Sequence, residues 1–225
     1  MKYPLVMKKI AVVLCGSGYR DGSEIRESVA VLWALSQFPV SVQCFAPDGD
    51  QVDVVNCMTG QAVTGERRNM LIESSRIARG DVLPLKQLVT DASHYAGIVL
   101  PGGYGAAKNL CSFAFQGAQG EVRPDLKAIL IDFHKAGKPI GAICIAPAIL
   151  ALAFKCHPLE LTLGEQGDAS VEIEKLGHEH FVCKADECHY DARNKIASTP
   201  AYMCEGAPLF QIFEGIRKVV ERVVQ

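Results

Sequence analysis

The sequence predicts an α/β protein: one domain built on a doubly wound, mostly parallel sheet. Three observations carry this reading. Short apolar runs at 8–14, 96–100 and 139–143 alternate with longer segments whose apolar residues recur at helical spacing. Each of these runs leads through a glycine-containing loop or a sharp corner toward a helix, the pattern of a strand–helix crossover. The 225 residues are 49% apolar with a net charge of −2, enough for one sizeable core, and no linker, repeat or low-complexity stretch divides them. The domain is placed at 8–225, after a short N-terminal extension at 1–7.

The elements follow in order. Lys8–Leu14 is a strand that ends in the tight loop Cys15-Gly-Ser-Gly18. Asp21-Gly-Ser-Glu24 opens a helix with Asp21 as N-cap and Glu24 in capping-box register, running to about Ser36 and burying Ile25, Val29, Leu32 and Trp33. Val40–Ala46 alternates like a strand, 52–64 reads as a small hairpin around Thr59-Gly60, and Glu66–Ala78 is helical. Beyond the strand at 96–100 come a short helix at 106–110, a polar loop at 112–124, a helix at 125–136 and the strand at 139–143. Ile145–Ala153 is helical, 159–163 is a strand, 170–176 is a short helix, and strands at 188–191 and 195–199 flank an Ala-Arg-Asn turn. Leu209, Ile212, Phe213, Ile216, Val220 and Val223 form the apolar stripe of a closing helix.

Composition narrows the function. No basic excess or Lys/Arg cluster points to nucleic acid, and no acidic tail points to a charged partner. The longest uncharged run, Pro139–Phe154, is too short to span a membrane and contains Gly141 and Pro147. Met1–Met7 is too short for a signal peptide and has no cleavage-site pattern, so a cytoplasmic protein is expected. The nine cysteines are odd in number, lack Cys-x-x-Cys spacing and lie mostly in apolar stretches, which argues for free thiols in a reducing compartment.

The chemistry centres on Cys144, at the corner between the strand at 139–143 and the following helix. A thiol there faces the positive end of a helix macrodipole, which predicts a pKa below that of a free cysteine; a buried structural thiol is the alternative. Glu24 starts a helix after another strand and is the expected acid partner, although a glutamate at that position also serves as a cap. Gly102, Gly103 and the Ile145 N–H are the expected oxyanion donors, in a Pro-Gly-Gly segment that equally ends a strand. Ile145, not histidine, follows Cys144, and the His-x-Glu pair of a glutamine-hydrolysing amidotransferase is missing. His178, His180, Cys183, Cys188 and His189 match no zinc spacing, so no metal is expected. Gly16-Ser-Gly18 lacks the third glycine of a dinucleotide loop and no Gly-Lys-Ser/Thr occurs, so no nucleotide cofactor is expected either.

These motifs stand in a recognisable order. Asp21-Gly-Ser-Glu24, Glu66-Arg-Arg-Asn69, Ile72–Gly80, Pro101-Gly-Gly-Tyr-Gly-Ala-Ala-Lys-Asn-Leu110, Gly141-Ala-Ile-Cys-Ile-Ala-Pro147 and Thr199-Pro-Ala-Tyr-Met203 together resemble the ElbB family of "enhancing lycopene biosynthesis" proteins. That family is a branch of the ThiJ/PfpI superfamily with a class I glutamine-amidotransferase-like fold, and the resemblance runs from about Lys8 to Val224. It implies a flavodoxin-like sandwich, a homodimer, and a weak glyoxalase that turns glyoxal into glycolate without glutathione or any other cofactor. Carried over by motif, Cys144 is the nucleophile and Glu24 its acid partner, with the Pro-Gly-Gly glycines contributing to the oxyanion site. Two other classes stay open: a redox- or electrophile-sensing or chaperone-like regulator, and an amidotransferase-like domain that acts only as a partner module.

Overall fold

The computed structural model describes residues 7–225, so the N-terminal extension, apart from Met7, lies outside the described residues. The first strand, β1 (Lys8–Val13), pairs in parallel with β2 (Val40–Ala46), which pairs with the short β3 (Val82–Pro84). On its other side β1 pairs with β4 (Gly97–Leu100), and the sheet continues through β5 (Ile140–Ile143) and β9 (Ile196–Thr199), all parallel. The antiparallel β8 (His189–Asp191) closes this seven-stranded sheet in the order β3-β2-β1-β4-β5-β9-β8. A separate two-stranded ribbon is formed by β6 (Glu160–Gly164) and β7 (Glu179–Val182).

Helices cover both faces, as a parallel sheet buried on two sides requires. On one face lie α1 (Ile25–Leu35), α2 (Met70–Ala78) and α8 (Leu209–Val224), packed over Ile10, Val12, Leu14, Val99 and Ile143. On the other lie α3 (Leu85–Asp91), α5 (Pro124–Lys135), α6 (Pro147–Ala153) and α7 (Asp168–Glu174), over Ala11, Val13, Ile98, Leu100 and Ala142. A further short helix, α4 (Phe113–Gln116), sits in the loop between β4 and α5. Successive strand residues thus enter opposite cores, the period-two alternation of a strand. Close approach matters under α8. A Cβ on Gly97 would come within 2.8 Å of Val223 Cγ1, and one on Gly141 within 2.8 Å of Val219 Cγ1.

The strand order reverses between β1 and β4, so the crevice at their carboxyl ends is the place where such sheets carry their sites. The loops after β1, β4 and β5 meet there.

Several local expectations change. The first helix is capped by Glu24, not Asp21; Asp21 instead accepts the Val55 N–H at 2.8 Å and pins the neighbouring loop. Its buried face is Glu27, Ser28, Ala30, Val31, Ala34 and Leu35, leaving Ile25, Val29 and Trp33 exposed. The helix has apolar residues all round, so periodicity allows two faces, and the one carrying Ala30, Val31, Ala34 and Leu35 packs on the sheet. The expected hairpin at 52–64 amounts to a single antiparallel bridge between Val55 and Ala62. The strands β3 and β7 and the helix α3 add to the expected elements, and α4 interrupts the expected polar loop at 112–124.

Candidate active site

Cys144 follows β5 directly, and its backbone has φ of 61°. That left-handed conformation is costly for a residue with a Cβ and holds only where the surroundings fix it. The Cys144 N–H donates to Thr199 O at 2.9 Å and the Ala146 N–H to Ile143 O at 2.9 Å, which locks the corner. The Pro-Gly-Gly loop lies against it. A Cβ on Gly102 would sit 2.5 Å from Cys144 Cβ and 2.8 Å from Glu27 Oε2, so only glycine leaves room for the thiol and a carboxyl to meet. Gly103, at φ of 94°, leaves the same kind of room: a Cβ there would lie 2.5 Å from Glu24 N.

The carboxyl beside the Cys144 thiol belongs to Glu27, not to Glu24. Glu27 is completely buried in the first turn of α1, and the Gly102 N–H donates to its Oε2 at 2.9 Å. Among the described residues its Oε1 is the one buried side-chain nitrogen or oxygen without a hydrogen-bond partner. The Tyr202 N–H also faces this carboxyl. Glu24, part-buried, uses its carboxylate to accept the Glu27 N–H at 2.6 Å, so its observed work is capping. Helical spacing contained the signal for Glu27: it lies four and seven residues before Val31 and Ala34, on the buried face.

Burial is the largest influence on both partners. It pushes the Glu27 carboxyl from 4.5 up to about 8, with the nearby Glu24 charge adding to the rise. It also pushes the Cys144 thiol well above its ordinary value, with the Glu27 charge adding, while the N–H groups of Gly103 and Ile145 pull the other way. The expectation of a lowered thiol pKa is therefore reversed. Helix α6 begins only at Pro147 and is seven residues long, so its dipole is too remote and too short to overcome burial. Once Glu27 is protonated its repulsion disappears, and its O–H can donate to a thiolate.

Of the three expected oxyanion donors, the structure aims Gly103 and Ile145 N–H at the sulfur, whereas the Gly102 N–H is taken by Glu27. At the mouth, exposed Arg26 donates to Tyr202 Oη at 3.1 Å, and Tyr104 is exposed beside the Tyr19 backbone. Asn109 ties the surrounding loops, accepting the Val52 N–H at 2.9 Å and donating to Asp21 O at 2.8 Å and Cys15 O at 3.3 Å.

The histidines make other bonds. His178 accepts the Leu159 N–H at 3.2 Å on Nδ1, which leaves Nε2–H to donate to Ala151 O at 2.9 Å. His180 accepts the Leu163 N–H at 3.1 Å on Nε2, and His189 stacks on Phe181 at 4.0 Å. Among the described residues no cluster of three or more His, Cys, Asp or Glu side chains is placed to hold a metal ion.

No protein-family model matches the chain. It is 40% identical over 234 residues to the human "glutamine amidotransferase-like class 1 domain-containing protein 3, mitochondrial", covering 100% of this chain and 85% of that protein. It is 38% identical to the rat "ES1 protein homolog, mitochondrial", covering 99% of this chain and 85% of that one. Among solved structures, the Ehrlichia chaffeensis isoprenoid biosynthesis protein with an amidotransferase-like domain superposes with a TM-score of 0.88 at 38% identity, over 96% of this chain and 98% of that one. Drosophila melanogaster DJ-1beta superposes with a TM-score of 0.58 at 17% identity, covering 97% and 91%, a likeness of fold alone. The expected cytoplasmic location is overturned by these comparisons, because the curated relatives, the zebrafish ES1 protein among them, are named mitochondrial proteins. Taken with the single α/β domain and its crevice, they establish that the chain belongs to the glutamine amidotransferase-like class 1 domain proteins that include the ES1 homologues, on the DJ-1/ThiJ/PfpI fold.

Proposed function

We propose that the protein is a glutathione-independent glyoxalase-like enzyme that converts a small dicarbonyl such as glyoxal into a hydroxy acid. The observation that carries this reading is the contact of the buried Glu27 carboxyl with Cys144 at a strained corner, with the Gly103 and Ile145 N–H groups facing the sulfur. Its ElbB-like motifs support the same chemistry.

The Cys144 sulfur adds to one aldehyde carbon, and the carbonyl oxygen becomes the hydroxyl of a hemithioacetal. The Gly103 and Ile145 N–H groups stabilise the negative charge that develops on that oxygen. Glu27, with a pKa near working pH, takes the proton from the sulfur-bearing carbon and returns one to the adjacent carbon through an enediol. The resulting thioester carries a hydroxymethyl group, and water hydrolyses it to glycolate and the free thiol. Each turnover adds one water to glyoxal, with no net oxidation. Glu24 serves this scheme by capping α1 and holding Glu27 in its first turn.

We also propose a homodimer. The exposed Ile25, Val29 and Trp33 support it, an apolar row at helical spacing along α1 that begins beside Glu24. The name of the Ehrlichia protein supports a setting close to isoprenoid biosynthesis.

Steady-state assays on a panel of small dicarbonyls, run beside Cys144→Ser, test the enzyme reading. Turnover lost in the variant supports it. Absence of turnover in the wild-type protein, with Cys144 oxidised readily by peroxide, replaces it with a thiol sensor.

A further inference from the structure

All nine cysteines are free, and their distribution is uneven. Cys183, Cys188 and Cys204 are half-buried neighbours on the β9 side of the crevice, outside the Cys144 centre. Cys183 follows β7, and Cys204 follows the tight turn Ala201–Met203. The Cys204 thiol donates to Cys183 O at 3.7 Å. This contact sets the Cys204 sulfur against the main chain of Cys183, and the two thiols are close enough for an ionised Cys183 to act on Cys204.

The third wall is glycine. Gly164, at the end of β6 with φ of 95°, has no side chain where a Cβ would meet Pro200 Cβ at 3.1 Å and Cys204 Sγ at 3.5 Å. The turn is therefore pressed between β6 and the Cys183 segment. It is also strained, since Ala201 is fully buried with φ of 46°. Its next residue, Tyr202, turns its N–H toward the Glu27 carboxyl and bonds Arg26 through its hydroxyl.

We propose that Cys183 and Cys204 are a reversible modification site, a dithiol that forms a disulfide by exchange with a low-molecular-weight disulfide and so resets the turn that faces Glu27. The Cys204 thiolate attacks one sulfur of the small disulfide, forming a mixed disulfide and releasing one small thiolate, which takes up the proton Cys204 lost. The Cys183 thiolate then attacks the Cys204 sulfur and releases the second small thiol. The protein loses two electrons and two protons, and the small disulfide becomes two thiols. Closing the bridge draws the Cys204 end of the turn toward Cys183, and Tyr202 moves with it. Burial raises all three thiols; Cys188 is the bystander because it is the most buried, pushed up to about 12, and its sulfur is turned to the His189 carbonyl at 3.4 Å.

The effect on Cys144 rests on the Cys144–Glu27 centre, and reading it by alkylation keeps it separate from glyoxal turnover. The full chain is equilibrated with oxidised glutathione, disulfides are mapped by non-reducing peptide mass spectrometry, and Cys144 alkylation by iodoacetamide is timed before and after. The expected result is a Cys183–Cys204 linked peptide, reversed by dithiothreitol, with Cys144 alkylation changed by at least about threefold, the effect of half a pKa unit. Cys204→Ser and Cys183→Ser should each abolish both changes while their reduced forms alkylate at Cys144 like the wild type. Glutathionylation of exposed Cys57 and Cys156 without that bridge, or a Cys183–Cys188 bridge in its place, overturns the site. A Cys183–Cys204 bridge with unchanged Cys144 alkylation overturns the coupling.

Discussion

The Gly102 N–H donates to Glu27 Oε2 at 2.9 Å, so the loop after β4 sets the direction of the carboxyl that meets Cys144. The bond joins the two sides of the crevice at a point where no larger residue fits. It also divides the labour between the two glutamates of the first helix, one capping and one facing the sulfur.

That division can be measured. Glu27→Gln keeps an acceptor for the Gly102 N–H but cannot carry a proton, and should lower dicarbonyl turnover about a hundredfold or more. Glu24→Gln should keep turnover within a few-fold and cost less than about 1 kcal/mol, because Gln also serves a helix N-terminus. Kinetics and melting of both variants decide the matter; equal losses of turnover in the two would restore Glu24 as the acid.

Stability should depend on pH through Glu27. Its carboxyl titrates near 8 when folded and near 4.5 when unfolded, so between those values the native state binds the extra proton. Its contribution is fully present below about pH 4.5 and is lost as pH rises toward 8, with a slope of up to about 1.4 kcal/mol per pH unit. Denaturant titrations across this range should show the slope in wild type and its loss in Glu27→Gln.

Gly102→Ala should be the most damaging small change at the site. Its methyl would lie 2.5 Å from Cys144 Cβ and 2.8 Å from Glu27 Oε2, and backbone must shift to admit it. A stability loss of about 1–3 kcal/mol is expected, with turnover falling further than stability explains. Wild-type activity in a folded variant would show that the two loops do not need to touch.

Asn109→Leu tests the loop anchor. It removes three hydrogen bonds from a buried side chain and leaves the Val52 N–H and the Asp21 and Cys15 carbonyls to find new partners. A loss of about 2–4 kcal/mol is expected by chemical denaturation, together with faster proteolysis in the 47–69 loop.

Assembly is tested by Trp33→Glu, placed on the exposed side of α1 where its ring lies 6.1 Å from Phe213. Light scattering should find a dimer for wild type and a monomer for the variant. A wild-type monomer at working concentration would remove the dimer from the proposal.

The sheet was legible in the sequence because its central strands are apolar on both faces and end at glycine-containing loops, as at Leu100-Pro-Gly-Gly103. Cys144 was legible for the same reason: it interrupts an apolar strand–helix junction. Glu27 is obscured in the sequence because the capping-box pattern marks Glu24 instead, and because a fully buried glutamate goes against the usual placement of that residue. The thiol pKa was misjudged because the dipole rule is local while burial depends on every layer above the residue, which no short motif encodes. The edge strand β3, three residues long, and β7, with its glutamate and histidine, carry too little apolar pattern to stand out.

The bare backbone of Gly97 and Gly141 lets α8 settle directly on β4 and β5, the two strands that deliver the Pro-Gly-Gly loop and Cys144. Cys144 and Glu27 leave the ribosome well before Leu209–Val224 do. Until those sixteen residues arrive, β4 and β5 lack the helix that covers them on one face. The Cys144 corner therefore rests on a fully covered sheet only after the last helix has been made, so its final packing is a late step of folding.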